Sequence, residues 1–196
     1  PFTKAHGTGN DFIIFIQNEC PEIIYSPEFI SNICMRRTGI GADAVLIISE
    51  IDSADYKMDY YNSDGSWETF CANGARCVAT LLKKKGFINK KAAFMGGDGN
   101  HELEFDKSNT VWIKMKAPIY KTKSIELFGF SGRHVDSGAK HFVCEARDLS
   151  NETAQKFGSL IRYSEKFAPI GVNVNFFKQI SENEIKVISY EKGIEK

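Results

Sequence analysis

Three stretches of the chain bring together residue types that can handle protons. The first is His6-Gly7-Thr8-Gly9-Asn10-Asp11-Phe12, where two glycines, an amide and an acid precede an apolar strand. Its ordinary reading is a tight turn; a GxGxxG phosphate loop is not supported, because no helix follows. The second stretch is Tyr61-Asn62-Ser63-Asp64-Gly65-Ser66, followed by Cys71-Ala72-Asn73-Gly74-Ala75-Arg76-Cys77. Cys71 lies just ahead of a helical segment. The positive end of the macrodipole and the unpaired N–H groups there favour a thiolate, and the same groups can hold a carboxylate or an enolate. Cys71 is therefore a candidate base or nucleophile, against the usual fate of a cysteine as a small buried hydrophobe. Cys77, about two turns further along, reads as structural, as do Cys20, Cys34 and Cys144. The third stretch is Val135-Asp136-Ser137-Gly138-Ala139-Lys140-His141-Phe142-Val143, with Gly171-Val172-Asn173-Val174-Asn175-Phe176 and Tyr190-Glu191-Lys192-Gly193 downstream. Each sets polar groups into strand-like sequence. A lone His141 or Glu191 is unremarkable, and the interest lies in the combination.

Most elements that would position these groups are short strands. Apolar runs predict strands at Phe12–Ile16 and Ala44–Ile48, and Tyr56–Tyr61 alternates up to the Asn62-Ser63-Asp64-Gly65 turn signal. Ala92–Met95 and Glu102–Phe105 flank a Gly96–Asn100 hairpin loop, Val111–Met115 follows, and Val174–Ile180 and Ile185–Tyr190 flank a second hairpin at Ser181–Glu184. Ser26-Pro27-Glu28 is an N-cap signature for a helix whose apolar face is Phe29, Ile30 and Ile33 and which ends at Gly39. Ala154, Phe157, Leu160 and Ile161 have helical spacing within Asn151–Phe167. A third helix is expected over residues 73–85, with Lys83-Lys84-Lys85 at its C-terminal end and Gly86 beyond it. Its Ala75, Cys77, Val78, Ala79, Leu81 and Leu82 are apolar on nearly every side, which predicts a helix wrapped by a curled sheet. Pro118 and the polar Lys121–Ser124 stretch mark a boundary between domains 1–118 and 119–196.

Composition narrows the function classes. The 196 residues contain 25 Lys plus Arg and 25 Asp plus Glu, so the net charge is zero, which argues against nucleic acid as the main partner. No apolar run approaches the ~20 residues of a membrane span, and no charged-then-apolar signal segment opens the chain. The five cysteines are irregularly spaced with no CxxC pair, which predicts free thiols rather than disulfides or a zinc cluster, and a cytoplasmic location. Aromatics at 12% favour a β-rich core. The expected partners are a small-molecule substrate and a second copy of the chain.

The segments HGTGNDF, RRTGIGAD, YYNSDGSWETFCANGARC, VDSGAKHFV, GVNVNF and YEKG, in this order and spacing, resemble the diaminopimelate epimerase family. The resemblance implies an α+β fold of two similar domains, each a curled mixed sheet around a central helix. It implies an isomerase of lysine and peptidoglycan precursor biosynthesis that uses neither pyridoxal phosphate nor a metal. One thiol stands on each face of the substrate α-carbon; one removes the proton while the other delivers one. Carried over by position, Cys71, His141 and Glu191 are catalytic. Asn10, Asn62, Ala72, Asn73, Gly74, Asn173 and Lys192 contact the amino-acid substrate.

Several positions depart from the family pattern. Ala72 stands where glycine is usual, so its N–H can donate only if φ is negative there. Ala44 lacks the side-chain donor that some members have, and Ala139-Lys140 replaces Asn-Pro or Ser-Pro ahead of the histidine. Lys192 replaces an arginine on the distal carboxylate, and an ammonium cannot make that bidentate fork. The family continues beyond YEKG into the second thiol and second central helix. The expectation is that the 196-residue chain is incomplete and inactive, its second half loose. The alternatives are another cofactor-independent racemase of this fold, against which Asn73 speaks because proline racemases usually have His there, and a non-catalytic remnant that binds a metabolite.

Overall fold

The computed structural model describes residues 1–191. The chain divides into two units, Pro1–Met115 and the residues from Lys116 onward. Among the described residues no helix is long and apolar enough to cross a membrane.

The first unit runs β1 (Thr3–Gly7), β2 (Asn10–Ile16), α1 (Pro27–Cys34), β3 (Ala44–Ser49), β4 (Tyr56–Asn62), β5 (Trp67–Glu68), α2 (Ala72–Lys85), β6 (Lys91–Gly96), β7 (Gly99–Phe105) and β8 (Val111–Ile113). Its sheet has the order β1-β2-β3-β4-β6-β7-β8, with β5 on β4. The apolar runs of β2 and β3 are buried on both faces, as expected for parallel neighbours covered from two sides. Phe12, Ile14, Leu46 and Met58 pack with α2 residues Ala75, Val78, Ala79 and Leu82. Ile13, Phe15, Val45 and Ile47 pack on the other side with Ile24, Ile30 and Cys34. Each large side chain buried this way contributes roughly 1.5–3 kcal/mol, so β2 and β3 cannot slip without exposing one core or the other.

The second unit runs β9 (Ile119–Tyr120), β10 (Ile125–Leu127), β11 (Phe130–Asp136), β12 (Lys140–Glu145), α3 (Asn151–Arg162), β13 (Asn173–Ser181) and β14 (Glu184–Tyr190). Its sheet has the order β10-β11-β12-β13-β14, with β9 on β11. The succession β11–β12 antiparallel, β12–β13 parallel across α3, β13–β14 antiparallel repeats that of β1–β2, β2–β3 across α1, and β3–β4. This repeat is invisible in the sequence. α3 covers Phe142, Cys144, Val174, Phe176 and Tyr190. The opposite face, with His141, Val143, Asn173 and Asn175, is only half-buried.

Several expectations change. α2 is not buried all round: Thr80, Lys84 and Lys85 are exposed and Leu81 is half-buried, so the helix seats one broad face and leaves the other to water. Cys71 caps α2, Ala72 already belongs to it, and Gly86, at φ 80°, ends it. α1 stops at Cys34 rather than Gly39, because Gly41 and Ala42 donate to the last-turn carbonyls of Ile33 and Cys34. α3 stops at Arg162 rather than Phe167. Buried Arg162 turns its guanidinium onto the Val172 carbonyl at 2.8 Å, and Phe167 enters the core from the following turns. Leu160, expected on the buried face, is 45% exposed. β8 ends at Ile113, and both hairpin loops shrink as their strands extend to Gly96/Gly99 and Ser181/Glu184.

Gly158 sets the closeness of α3 to β14: a Cβ there would lie 2.5 Å from the Tyr190 Cβ. Gly158→Ala is expected to destabilise the second unit by about 1–3 kcal/mol through overpacking, read as a lower urea midpoint. An unchanged midpoint would mean that helix and strand are not in this contact.

Candidate active site

In the first unit the candidate groups gather at one edge of the sheet, where β2 and β3 begin and β4 ends. A two-residue turn at Thr8 (φ 54°) and Gly9 (φ 89°) pairs Gly7 with Asn10, which makes Asn10 the first residue of β2. The turn rests on the start of α2. A Cβ on Gly7 would lie 3.0 Å from the Asn73 carbonyl oxygen, and one on Gly74 would lie 3.0 Å from Leu46 Cδ1, so both glycines permit the helix end to sit down on the strands. Thr8 Oγ1 reaches Asn73 Oδ1 at 3.3 Å, and Arg76 donates to the same oxygen.

Cys71 occupies the N-cap with extended backbone (φ −138°, ψ 111°), and its sulfur does what a Ser or Asp oxygen usually does there: it accepts from the Gly74 N–H, at 3.5 Å. The thiol in turn donates to Asn10 Oδ1 at 3.8 Å. Ala72 is the first helical residue, so its departure from glycine leaves the backbone helical. By helix geometry the N–H groups of Ala72 and Asn73 have no intrahelical acceptor.

Beside Asn10 lies a charged cluster. Arg36 donates from both terminal nitrogens to the Asp11 carboxylate, at 3.1 and 2.8 Å, and to Asp43 Oδ1 at 2.6 Å. Lys4 adds an ion pair to Asp11 at 2.8 Å. Asp43 Oδ2 accepts from Asn10 Nδ2 at 3.0 Å and from the Asp11 N–H at 3.1 Å. Burial alone would raise the Asp11 carboxyl, but the Arg36 and Lys4 hydrogen bonds outweigh it and hold Asp11 well below the usual carboxylate range. Asn62 ends β4 opposite Ala44, and the next residue, Ser63, donates its N–H to the Asp43 carbonyl at 3.1 Å. The Asn62 amide is held by Tyr60 and Ser66, each at 3.0 Å.

In the second unit His141 and Asn173 are partners at the beginnings of β12 and β13, and Glu191 directly follows the end of β14. A turn with Gly138 at φ 99° delivers the chain to His141. Burial pushes the His141 imidazole down, against the opposing pull of the Glu191 and Asp136 carboxylates. Its Nδ1 lies 2.9 Å from Asn175 Nδ2, and Asn175 Oδ1 accepts from Ser189 Oγ at 2.8 Å. Arg162 reaches Asn173 Oδ1 at 3.3 Å. Lys192 lies outside the described residues.

Residues 2–120 match the family described as diaminopimelate epimerase. The chain belongs to the diaminopimelate epimerase family. It is 34% identical to the diaminopimelate epimerase of Flavobacterium psychrophilum over 98% of this chain and 73% of that one. It is 32% identical to the diaminopimelate epimerase of Aquifex aeolicus, over 99% of this chain and 74% of that one. Among solved structures, a hydroxyproline epimerase from Agrobacterium vitis superposes with a TM-score of 0.70 at 12% identity, covering 96% of this chain and 69% of that one. At that identity the likeness is one of α+β fold.

Membership in the diaminopimelate epimerase family leaves two groups that sequence reasoning did not single out. Arg36 and Asp43 lie inside a quoted family segment, and Asp11 inside another, but none of the three drew a role. The available signal was an acid at or just before the start of each of two parallel strands, with an arginine between them. Asn175 and Ser189 carried no signal, since their meeting with His141 depends on strand register.

The five cysteines differ in setting. Burial pushes Cys34 up to about 11, Cys144 up to about 12, and Cys77 in the same direction. With Cys71 at the positive end of α2, brief iodoacetamide treatment near neutral pH is expected to label Cys71 first of the five, by peptide mapping. Faster labelling of any other cysteine would remove Cys71 as the activated thiol. For Asp11, the depressed folded-state value means that its stabilisation is present above the unfolded value of about 3.9 and is lost as pH falls through the folded value. Asp11→Asn is thus expected to be less stable than the unsubstituted chain at about pH 7, with the gap narrowing below about pH 4. A gap independent of pH in urea titrations would show that the ion pairs do not carry it.

Proposed function

We propose that this chain carries part of the machinery that inverts the α-carbon of L,L-diaminopimelate to the meso form, with Cys71 as the acid–base group on one face. What supports this reading most is the seat of Cys71: an N-cap sulfur between a backbone donor, Gly74 N–H, and a side-chain acceptor, Asn10 Oδ1, in a chain of this family. The α-proton of an amino acid is weakly acidic, and its removal needs a positioned base. The negative charge that develops on the substrate carboxylate needs oriented donors. The N–H groups of Ala72 and Asn73 at the positive end of α2 suit that charge. Asn10, Asn62, Asn73, Gly74 and Asn173 are the remaining substrate contacts in this reading. His141, whose neutral form burial favours, and Glu191 help set the protonation of the thiol and hold the substrate amino group. Lys192 is assigned to the distal carboxylate as a point charge.

Inversion needs a second acid on the opposite face. Cys144 is the one cysteine after residue 77, and it is buried beneath α3 on the face of the sheet away from His141. That burial argues against Cys144 as the second acid.

Two outcomes test the reading. Millimolar diaminopimelate is expected to slow iodoacetamide labelling of Cys71 at least about threefold while leaving Cys20 unchanged; no protection would overturn the assignment of the site. Turnover of L,L-diaminopimelate by the 196-residue chain in D₂O, followed by loss of the α-proton signal, is expected at least ~10³-fold below that of the Flavobacterium relative. Comparable rates would overturn the two-thiol mechanism.

A further inference from the structure

We propose that Asp43, clamped by Arg36, is a positioning residue that fixes the Asn10 side-chain amide with its oxygen toward the Cys71 sulfur. The inference rests on the reading of Cys71 as the acid–base thiol and adds to it the device that sets its hydrogen bonding.

The argument is one of donors and acceptors. An ionised carboxylate only accepts hydrogen bonds, so the Asn10 atom 3.0 Å from Asp43 Oδ2 has to be the amide nitrogen. The amide oxygen is thereby left for the sulfur, 3.8 Å away. Asp43 cannot turn to release it. Its Oδ1 is held by Arg36 at 2.6 Å, and its Oδ2 is also held by the Asp11 N–H at 3.1 Å. Arg36 is itself fixed by its two-nitrogen grip on Asp11, and Lys4 completes the cluster. An oxygen facing Cys71 accepts from the thiol and disfavours the thiolate, whereas Gly74 N–H does the opposite. A group that must hold a proton in one direction of a reversible inversion and lose it in the other is served by having both neighbours. Without the Asp43 anchor the amide could turn its nitrogen to the sulfur, and the balance would tip toward the thiolate. Of the charged groups bonded to this cluster, Lys4 and Arg36 hold the Asp11 and Asp43 carboxylates, and Arg76 on α2 is bonded to Asn73.

The test is a double-substitution cycle on the 196-residue chain. Asp43→Asn is expected to raise the rate of Cys71 alkylation near neutral pH about threefold to tenfold. In an Asn10→Ala background the same substitution is expected to change that rate less than about 1.5-fold. An equal acceleration in both backgrounds would mean that Asp43 acts on the sulfur by charge alone, and would overturn the proposal. Should Asp43→Asn fail to fold, the unsubstituted chain decides by NMR. Strong cross-relaxation between the Asn10 amide protons and the Cys71 β protons would put nitrogen beside sulfur and overturn it; their absence, with the amide protons slow to exchange, supports it. Protection of Cys71 by diaminopimelate is scored separately. Coupling without protection keeps the Asn10 orientation and discards the proposed function, and protection without coupling does the reverse.

Discussion

The close approach of the Thr8–Gly9 turn to the first turn of α2 governs where each candidate group of the first unit stands. It requires glycine at two places at once. Gly7 makes room for the Asn73 carbonyl, and Gly74 makes room for Leu46. A side chain at either position would lift the helix end away from the start of β2 by a few tenths of an ångström or more. Hydrogen bonds to sulfur are already long, so Asn10 and Cys71 would part first. The apolar packing of α2 on Phe12, Ile14 and Leu46 supplies the force that keeps the two ends together. The polar contacts then decide only orientation.

Orientation comes from charge. Asp11 and Asp43 sit next to one another in a small space, an arrangement that would repel without Arg36 and Lys4. Side chains as exposed as Arg36 contribute little to stability as single ion pairs. The fork of a guanidinium, however, holds both carboxylates at once, and one of them reaches Asn10. In the second unit a line of hydrogen bonds runs from Ser189 through Asn175 to His141. Both devices lie where two parallel strands begin, and both units reach that arrangement through the same succession of strand pairings.

Much of the fold is legible in the sequence. The apolar runs of β2 and β3, the turn after Asn62, the Ser26 cap with Pro27, and the Cys71 to Gly86 span of α2 all follow from local chemistry. The helix ends were less legible. α3 stops at Arg162, whose guanidinium goes to the carbonyl of Val172 beyond the helix, and nothing local announces that bond. The apolar composition of α2 predicts a helix wrapped on all sides, but Thr80, Lys84 and Lys85 turn one stripe to water. The internal repeat of strand order left no trace in the sequence, since it is a property of pairing and not of residue type. For the site, the residues with reactive atoms were visible by type and spacing. The residues that aim them, Asp43 and Asn175, were not, because their partners are brought to them by register.

That the cap of α2 is a sulfur has a consequence for how this protein ages. A hydroxyl or carboxylate cap is chemically inert, whereas a thiol can be carried up the ladder to sulfenic and sulfinic acid. Oxygen added to Cys71 by a peroxide sets a larger, acceptor-bearing group against Gly74 N–H and the Asn10 oxygen, so the oxidised side chain has to leave the position the thiol holds. The first turn of α2 then has to move with it or take the new oxygen in place of the sulfur as its acceptor. Redox damage at this one atom is therefore both a chemical and a mechanical event, and protection of the amide of Gly74 against hydrogen exchange becomes a gauge of whether the sulfur is still reduced.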